Sequence, residues 1–248
     1  MFLKTPVFGH GGSGFQAPNV PVILTPPVVG YMAWYDAQQV NATDGSSVTS
    51  WADLTGSYPA TQGTPANQPK FYKSTPANLI NGHPAILFDG VATYLSTLTP
   101  VLTTPISLFC VVKLSVTDTN NKSVAGPSSG HSFLFSTSTN WITFFPSAMY
   151  GPTASATTNP IAITAVISPI TSPPSFVQTD SAILTTATAY TASDTGYMIG
   201  GNWGGTNQTV PGNYFPGLIG ELILYPFALT TAQANSMHTY AQTKWGTP

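Results

Sequence analysis

From residue 28 onward the chain is cut into short apolar stretches by turn residues, and this constrains its fold more than any other feature. Segments rich in β-branched and aromatic residues fall at 29–35, 48–52, 85–88, 93–96, 106–114, 132–136, 141–145, 161–167, 175–178, 182–185, 196–200 and 217–225. Between them stand Asp44-Gly45, Asn81-Gly82, Asp89-Gly90, Pro127 to Gly130 and Pro173-Pro174, residues that set turn geometry. Many short strands at this spacing predict an all-β sandwich or jelly roll. The longest apolar runs, ISLFCVVKL (106–114) and IAITAVI (161–167), are far short of the roughly 18 to 20 residues of a spanning helix.

One helix is predicted, in LTTAQANSMHTYAQTKWG. Thr230 can cap its start, with Gln233 three residues on completing a capping box. Ala234, Met237, Ala241 and Trp245 recur at helical spacing, and Gly246 follows as a stop. Residues 1–27 form a separate unit, an extended arm punctuated by Gly and Pro with no lasting period. Its opening, MFLKTPVFGHGG, lacks the apolar core of a signal peptide. The expected organisation is an arm over 1–27 and one sandwich domain over 28–248.

Charge is nearly absent. Only 6% of the 248 residues are charged: six Lys, no Arg, seven Asp and a single Glu, for a net charge of −2. About a quarter is usual in globular proteins. Without Arg or a basic cluster the chain has no footprint for nucleic acid or for an anionic membrane. A Thr/Ser/Asn/Gln surface with little net charge favours association, so an assembled state is expected. Cys110 is the only cysteine and sits in an apolar strand, which reads as a buried thiol. The sequons at Asn41, Asn121 and Asn207 read as chance in a Ser/Thr-rich chain.

Several motifs together resemble a known family. GYMAWYDAQQV followed by DGSSVTSWADLTGS, then NQPKFY, INGHPAILFDGVATYL and ISLFCVVKL, and finally FPGLIGELILYPFALTTAQANSMHTYAQTKWG, run in the order found in concanavalin A-like, laminin-G-like jelly-roll domains. The resemblance covers about residues 28 to 247 and implies that fold. Positions that often carry charge in the family are neutral here: Leu87, Val91, Ala92 and the YPFALTTAQ segment. Calcium binding, which depends on charged loops in such domains, is therefore not implied.

No catalytic constellation stands out. A retaining glycosidase needs two carboxylates about 5 to 5.5 Å apart. The same-face strand neighbours of Glu221 are Ile219 and Ile223, and no second acid lies nearby in sequence. Glu221 therefore reads as structural, bonded to backbone at a strand edge or at the helix start. GPSSG (126–130) fits a nucleophile motif but precedes a strand rather than a helix, and HGGSG (10–14) lies in the arm. His10, His83, His131 and His238 show no metal-ligand spacing, and Asp89 reads as a turn residue. No enzyme activity, cofactor or metal is expected.

The strongest binding candidate is the Gly-rich stretch GGNWGGTNQTVPGNYF (200–215). Asn202, Trp203, Asn213 and Tyr214 combine aromatic faces with amides, which is what sugar recognition uses. Two functions follow. The first is a structural protein of a bacteriophage, a capsid decoration or fibre component on the outside of the particle. Its arm would contact other virion proteins, and the domain would form a homo-oligomer, a trimer by fold analogy. The alternative is a secreted or host-recognising carbohydrate-binding module that takes a surface glycan.

Overall fold

A computed structural model describes residues 24–116, 122–127, 132–136, 141–144, 148–150, 158–171, 174–180, 182–186, 191, 193–204 and 210–248. The arm expected over 1–27 therefore lies almost wholly outside the described residues, as do His10, His131 and most of GPSSG. The rest is an all-β sandwich with a single helix among the described residues.

Strands are numbered along the chain. The first sheet runs β14 (Ala182–Thr186), β13 (Ser175–Thr179), β12 (Ile161–Ile167), β7 (Ile106–Leu114), β18 (Pro216–Tyr225), β5 (Ala85–Asp89) and β4 (Lys70–Tyr72), with β1 (Ala33–Asp36) also paired to β18. The second runs β11 (Ala148–Tyr150), β10 (Trp141–Phe144), β9 (Ser132–Ser136), β8 (Lys122–Pro127), β15 (Ser193–Ile199), β6 (Leu95–Thr103), β3 (Ala60–Thr61) and β2 (Ser50–Trp51). A small hairpin joins β16 (Asn202–Gly204) to β17 (Val210–Gly212). Every pairing is antiparallel.

Alternation along the strands builds two apolar layers. On β7, Ile106, Leu108, Cys110, Val112 and Leu114 point between the sheets, where Trp51, Leu95, Val124, Phe133, Tyr197 and Ile199 meet them. Phe109 and Val111 point the other way, into a second layer beneath the helix. Burial pushes the Cys110 thiol far above its ordinary range, so it is an inert filler. Sequence did not reveal the polar contact inside this core: Tyr35 and Tyr197 share a hydroxyl–hydroxyl bond of 2.5 Å, and the Tyr35 hydroxyl also bonds the Tyr58 carbonyl.

Helix α1 (Thr231–Trp245) lies on the outer face of the first sheet. Its start is the predicted capping box: Thr230 accepts from the Gln233 amide, and the Gln233 side chain accepts from the Thr230 amide. Its end is Gly246 at φ +62°. Ala234, Met237, Ala241 and Trp245 are all fully buried.

An irregularity on β18 sets what this face presents. The register against β7 shifts between Ile219 and Glu221, so Gly220 is an extra residue. Leu218 faces the helix and Ile219 faces the core. Strict alternation would turn Glu221 into the core; the inserted Gly220 returns it to the helix side. Gly220 also makes room for Trp245, because a Cβ there would lie 2.6 Å from the indole ring. Gly220→Ala is expected to cost about 1–3 kcal/mol through this overlap. A lowered midpoint in chemical denaturation, with the native circular dichroism retained, is the measurement that checks it.

Candidate functional site

Glu221 was the one carboxylate singled out for possible chemistry, and its surroundings decide its role. It is fully buried on a central strand, not at a sheet edge. Oε1 accepts from Trp34 Nε1 at 2.7 Å, from the Tyr240 hydroxyl at 2.7 Å and from Lys244 Nζ at 2.8 Å. Oε2 accepts from Trp245 Nε1 at 2.7 Å. The expected backbone partners are thus replaced by side chains, and the helix contributes its last turns rather than its start. A second acid is present after all: Asp36 lies opposite Glu221 in the β1–β18 register, and its carboxylate takes Lys244 Nζ at 2.8 Å.

The two carboxylates therefore share one ammonium, which also lies over the rings of Trp34, Tyr240 and Trp245 at 5.5, 5.2 and 5.5 Å. Burial pushes the Glu221 carboxyl above its ordinary range. Lys244 opposes this and the Asp36 charge adds to it. Walled in by three aromatic side chains, the pair faces the helix and not solvent, so it holds α1 to the sheet. Glu221→Ala would leave Tyr240 and two indole N–H groups without this acceptor and Lys244 with one carboxylate instead of two. A loss of about 3–5 kcal/mol in unfolding free energy is expected, measured by denaturant titration.

The binding candidates are brought together elsewhere, at the β16–β17 hairpin. Gly200 and Gly201 let the hairpin approach the sandwich closely: a Cβ on Gly200 would lie 2.1 Å from Phe88. The Gly200 amide donates to the Val124 carbonyl and the Ser123 amide to the Asn213 carbonyl, both at 2.8 Å, which pins the hairpin to β8. Asn213 turns the chain at φ 48°, a conformation Asn tolerates. Trp203 pairs with Pro211 across the hairpin, and Tyr214 follows the turn.

Among these residues Asn202 is buried, at 2% exposure, and its amide oxygen accepts from Asn213 Nδ2 at 3.1 Å. It positions Asn213, which is exposed. Trp203 and Tyr214 are half-buried. The Trp203 Nε1 atom is buried without a hydrogen-bond partner among the described residues, so the outward part of this side chain is ring carbon.

Tyr94 completes the group of rings, and no motif in the sequence points to it as a site residue. Its ring centroid lies 6.2 Å from those of both Trp203 and Tyr214, edge-on to the first and tilted by 31° to the second. Its backbone is held at both ends: the amide donates to Asn67 and the carbonyl accepts from Gln62 Nε2. The turn before it is built on Asp89, whose Oδ1 accepts from the amides of Val91, Ala92 and Thr93. Asp89 is therefore a turn residue, as its sequence context predicts. Burial pushes the Tyr214 phenol up, and Tyr94 and the Asp89 charge add to the effect. The site is a half-exposed platform of three rings rimmed by an amide.

Elsewhere on the helix face, His238 bonds Asp180 at 3.0 Å and Thr164 at 3.2 Å. This has the order of a nucleophilic triad, but Thr164 is fully buried beneath α1. Among the described residues no cluster of three His, Cys, Asp or Glu is placed to hold a metal, and no helix is long and apolar enough to cross a membrane.

No protein family and no curated protein matches the chain by sequence. Solved structures do match by fold. One is the Trypanosoma rangeli sialidase in complex with sialic acid, at 12% identity and a TM-score of 0.59, over 90% of this chain and 35% of that one. Another is domain 4 of an extracellular GH43 arabinanase from Geobacillus stearothermophilus, in complex with arabinotriose, at 16% identity and a TM-score of 0.53, over 84% of this chain and 98% of that one. The chain thus spans about a third of the sialidase but nearly the whole of the arabinanase domain.

At these identities the likeness is one of fold. It corrects the expectation that the chain is not an enzyme, because this sheet-rich fold occurs in sialidases and in a domain of an arabinanase. The sialidase and the arabinanase domain lend no support to the phage role expected from the sequence.

Proposed function

We propose that this β-sandwich is a carbohydrate-binding domain, acting outside the cell, whose sugar contact is the platform of Tyr94, Trp203 and Tyr214. The observation that carries the reading is the gathering of these three half-buried rings, from two distant segments, on one spot beside the exposed Asn213 amide. The C–H faces of a sugar ring stack on aromatic faces, while its hydroxyls need donors and acceptors at the rim. Trp203 supplies ring surface. The Asn213 side chain and the Tyr94 and Tyr214 hydroxyls are the polar groups of the rim. Asn202 fixes the Asn213 amide through its own. That a domain of similar fold was solved with arabinotriose supports a sandwich of this kind serving a sugar.

A glycan array probed with the full chain, followed by calorimetric titration, tests the proposal. At least one oligosaccharide should be retained. Trp203→Ala and Tyr94→Ala should each weaken it about tenfold or more, the size of a hot-spot truncation. Retention unchanged in both variants would remove the platform as the site.

A further inference from the structure

Resting on that reading, we infer that the platform selects neutral glycans and discriminates against acidic ones, sialic acid included. A sugar carboxylate or sulfate is held by cations, above all by the two-pronged guanidinium of Arg. The chain contains no Arg at all. Among the described residues, four of the five lysines are placed elsewhere or already engaged. Lys244 is buried between Asp36 and Glu221. Lys70 donates to Ser47 and Lys73 to the Ala42 carbonyl, each at 2.8 Å. Lys113 lines a cavity with Asn159 and Leu218, on the first sheet. His83 packs on Trp245, and His238 bonds Asp180.

The one cation near the platform in the described chain is Lys122. It precedes Ser123, whose amide bonds the Asn213 carbonyl. The five residues between β16 and β17 read GTNQT and carry no charge.

On the Tyr94 side of the platform the nearby charge is negative. Asp89 builds the turn that leads into Tyr94, and its charge adds to the burial that raises the Tyr214 phenol. Burial raises the Asp89 carboxyl, but the hydrogen bonds from Ala92, Val91 and Thr93 outweigh it and hold the group below the usual carboxylate range. A carboxylate beside the platform disfavours a sugar acid there. Recognition is left to ring stacking and to amide and hydroxyl hydrogen bonds, which suit an uncharged polyol.

The test is calorimetric titration of the full chain with arabinotriose, xylotriose, cellotriose and the neutral hits of the array, against sialyllactose and trigalacturonate, at low and high salt. Neutral ligands should bind with an affinity that salt leaves unchanged. The acidic ligands should bind at least about tenfold more weakly. Asp89→Asn keeps the turn-forming oxygen, removes the charge and should narrow the gap several-fold. Acidic ligands binding as tightly as neutral ones overturn the selectivity and leave the platform standing, most directly if Lys122→Gln then abolishes them. If neither set binds, the carbohydrate reading itself fails.

Discussion

The rest of the structure hangs on one buried ion: the Lys244 ammonium, held between the carboxylates of Asp36 and Glu221 and enclosed by Trp34, Tyr240 and Trp245. These residues come from β1, β18 and α1, so one contact ties the first strand, the last strand and the helix together. Removing charges from water costs several kcal/mol per ion, repaid only by close pairing and full hydrogen bonding. Both conditions hold for Glu221, which takes four donors. The helix also ends where a cation is favoured, since Lys244 sits in its last turn. A chain with eight acids and six lysines spends three of these charges here.

Local signals in the sequence were legible where neighbours along the chain decide the outcome. Thr230 and Gln233 form a capping box through atoms three residues apart, and Gly246 ends the helix through its own left-handed backbone. The long strands β7, β12 and β18 were readable because continuous apolar runs this short belong in a sheet covered on both faces. Short strands such as Ala60–Thr61 and Lys70–Tyr72 were not, because two or three residues carry no period. The role of Glu221 was half legible. That it is structural followed from its isolation, but its partners did not. Trp34 lies 187 residues away, and the parity that aims Glu221 at the helix depends on an inserted glycine that pairing alone reveals.

The platform shows the same division. Asn202, Trp203, Asn213 and Tyr214 are close in sequence, and the hairpin brings them together as a local device can. What sequence could not sort was which of them faces out. Asn202 turns inward to anchor Asn213, and Trp203 hides its N–H while keeping ring surface half exposed. Tyr94 arrives from the turn after β5, more than a hundred residues earlier, and no spacing rule links it to Trp203. In the sequence it stood inside a stretch explained by the fold alone.

Drawing the buried ions inward and leaving the hairpin without charge have one consequence for recognition. Under the proposed function, three aromatic rings with an amide rim offer little field with which to steer a ligand, so encounter rests on diffusion and retention on contact area and hydrogen-bond geometry. Such a site discriminates by the placement of hydroxyls, because an amide or phenol left unpaired on binding costs more than one left in water. The fixed elements here are the Tyr94 backbone, the Asn202–Asn213 amide pair and the Gly200–Gly201 approach to the sandwich. They hold the rings and the rim amide in place before a ligand arrives. Under the proposed function, that preorganisation lowers the ordering cost of binding and lets a platform of rings and amides be selective.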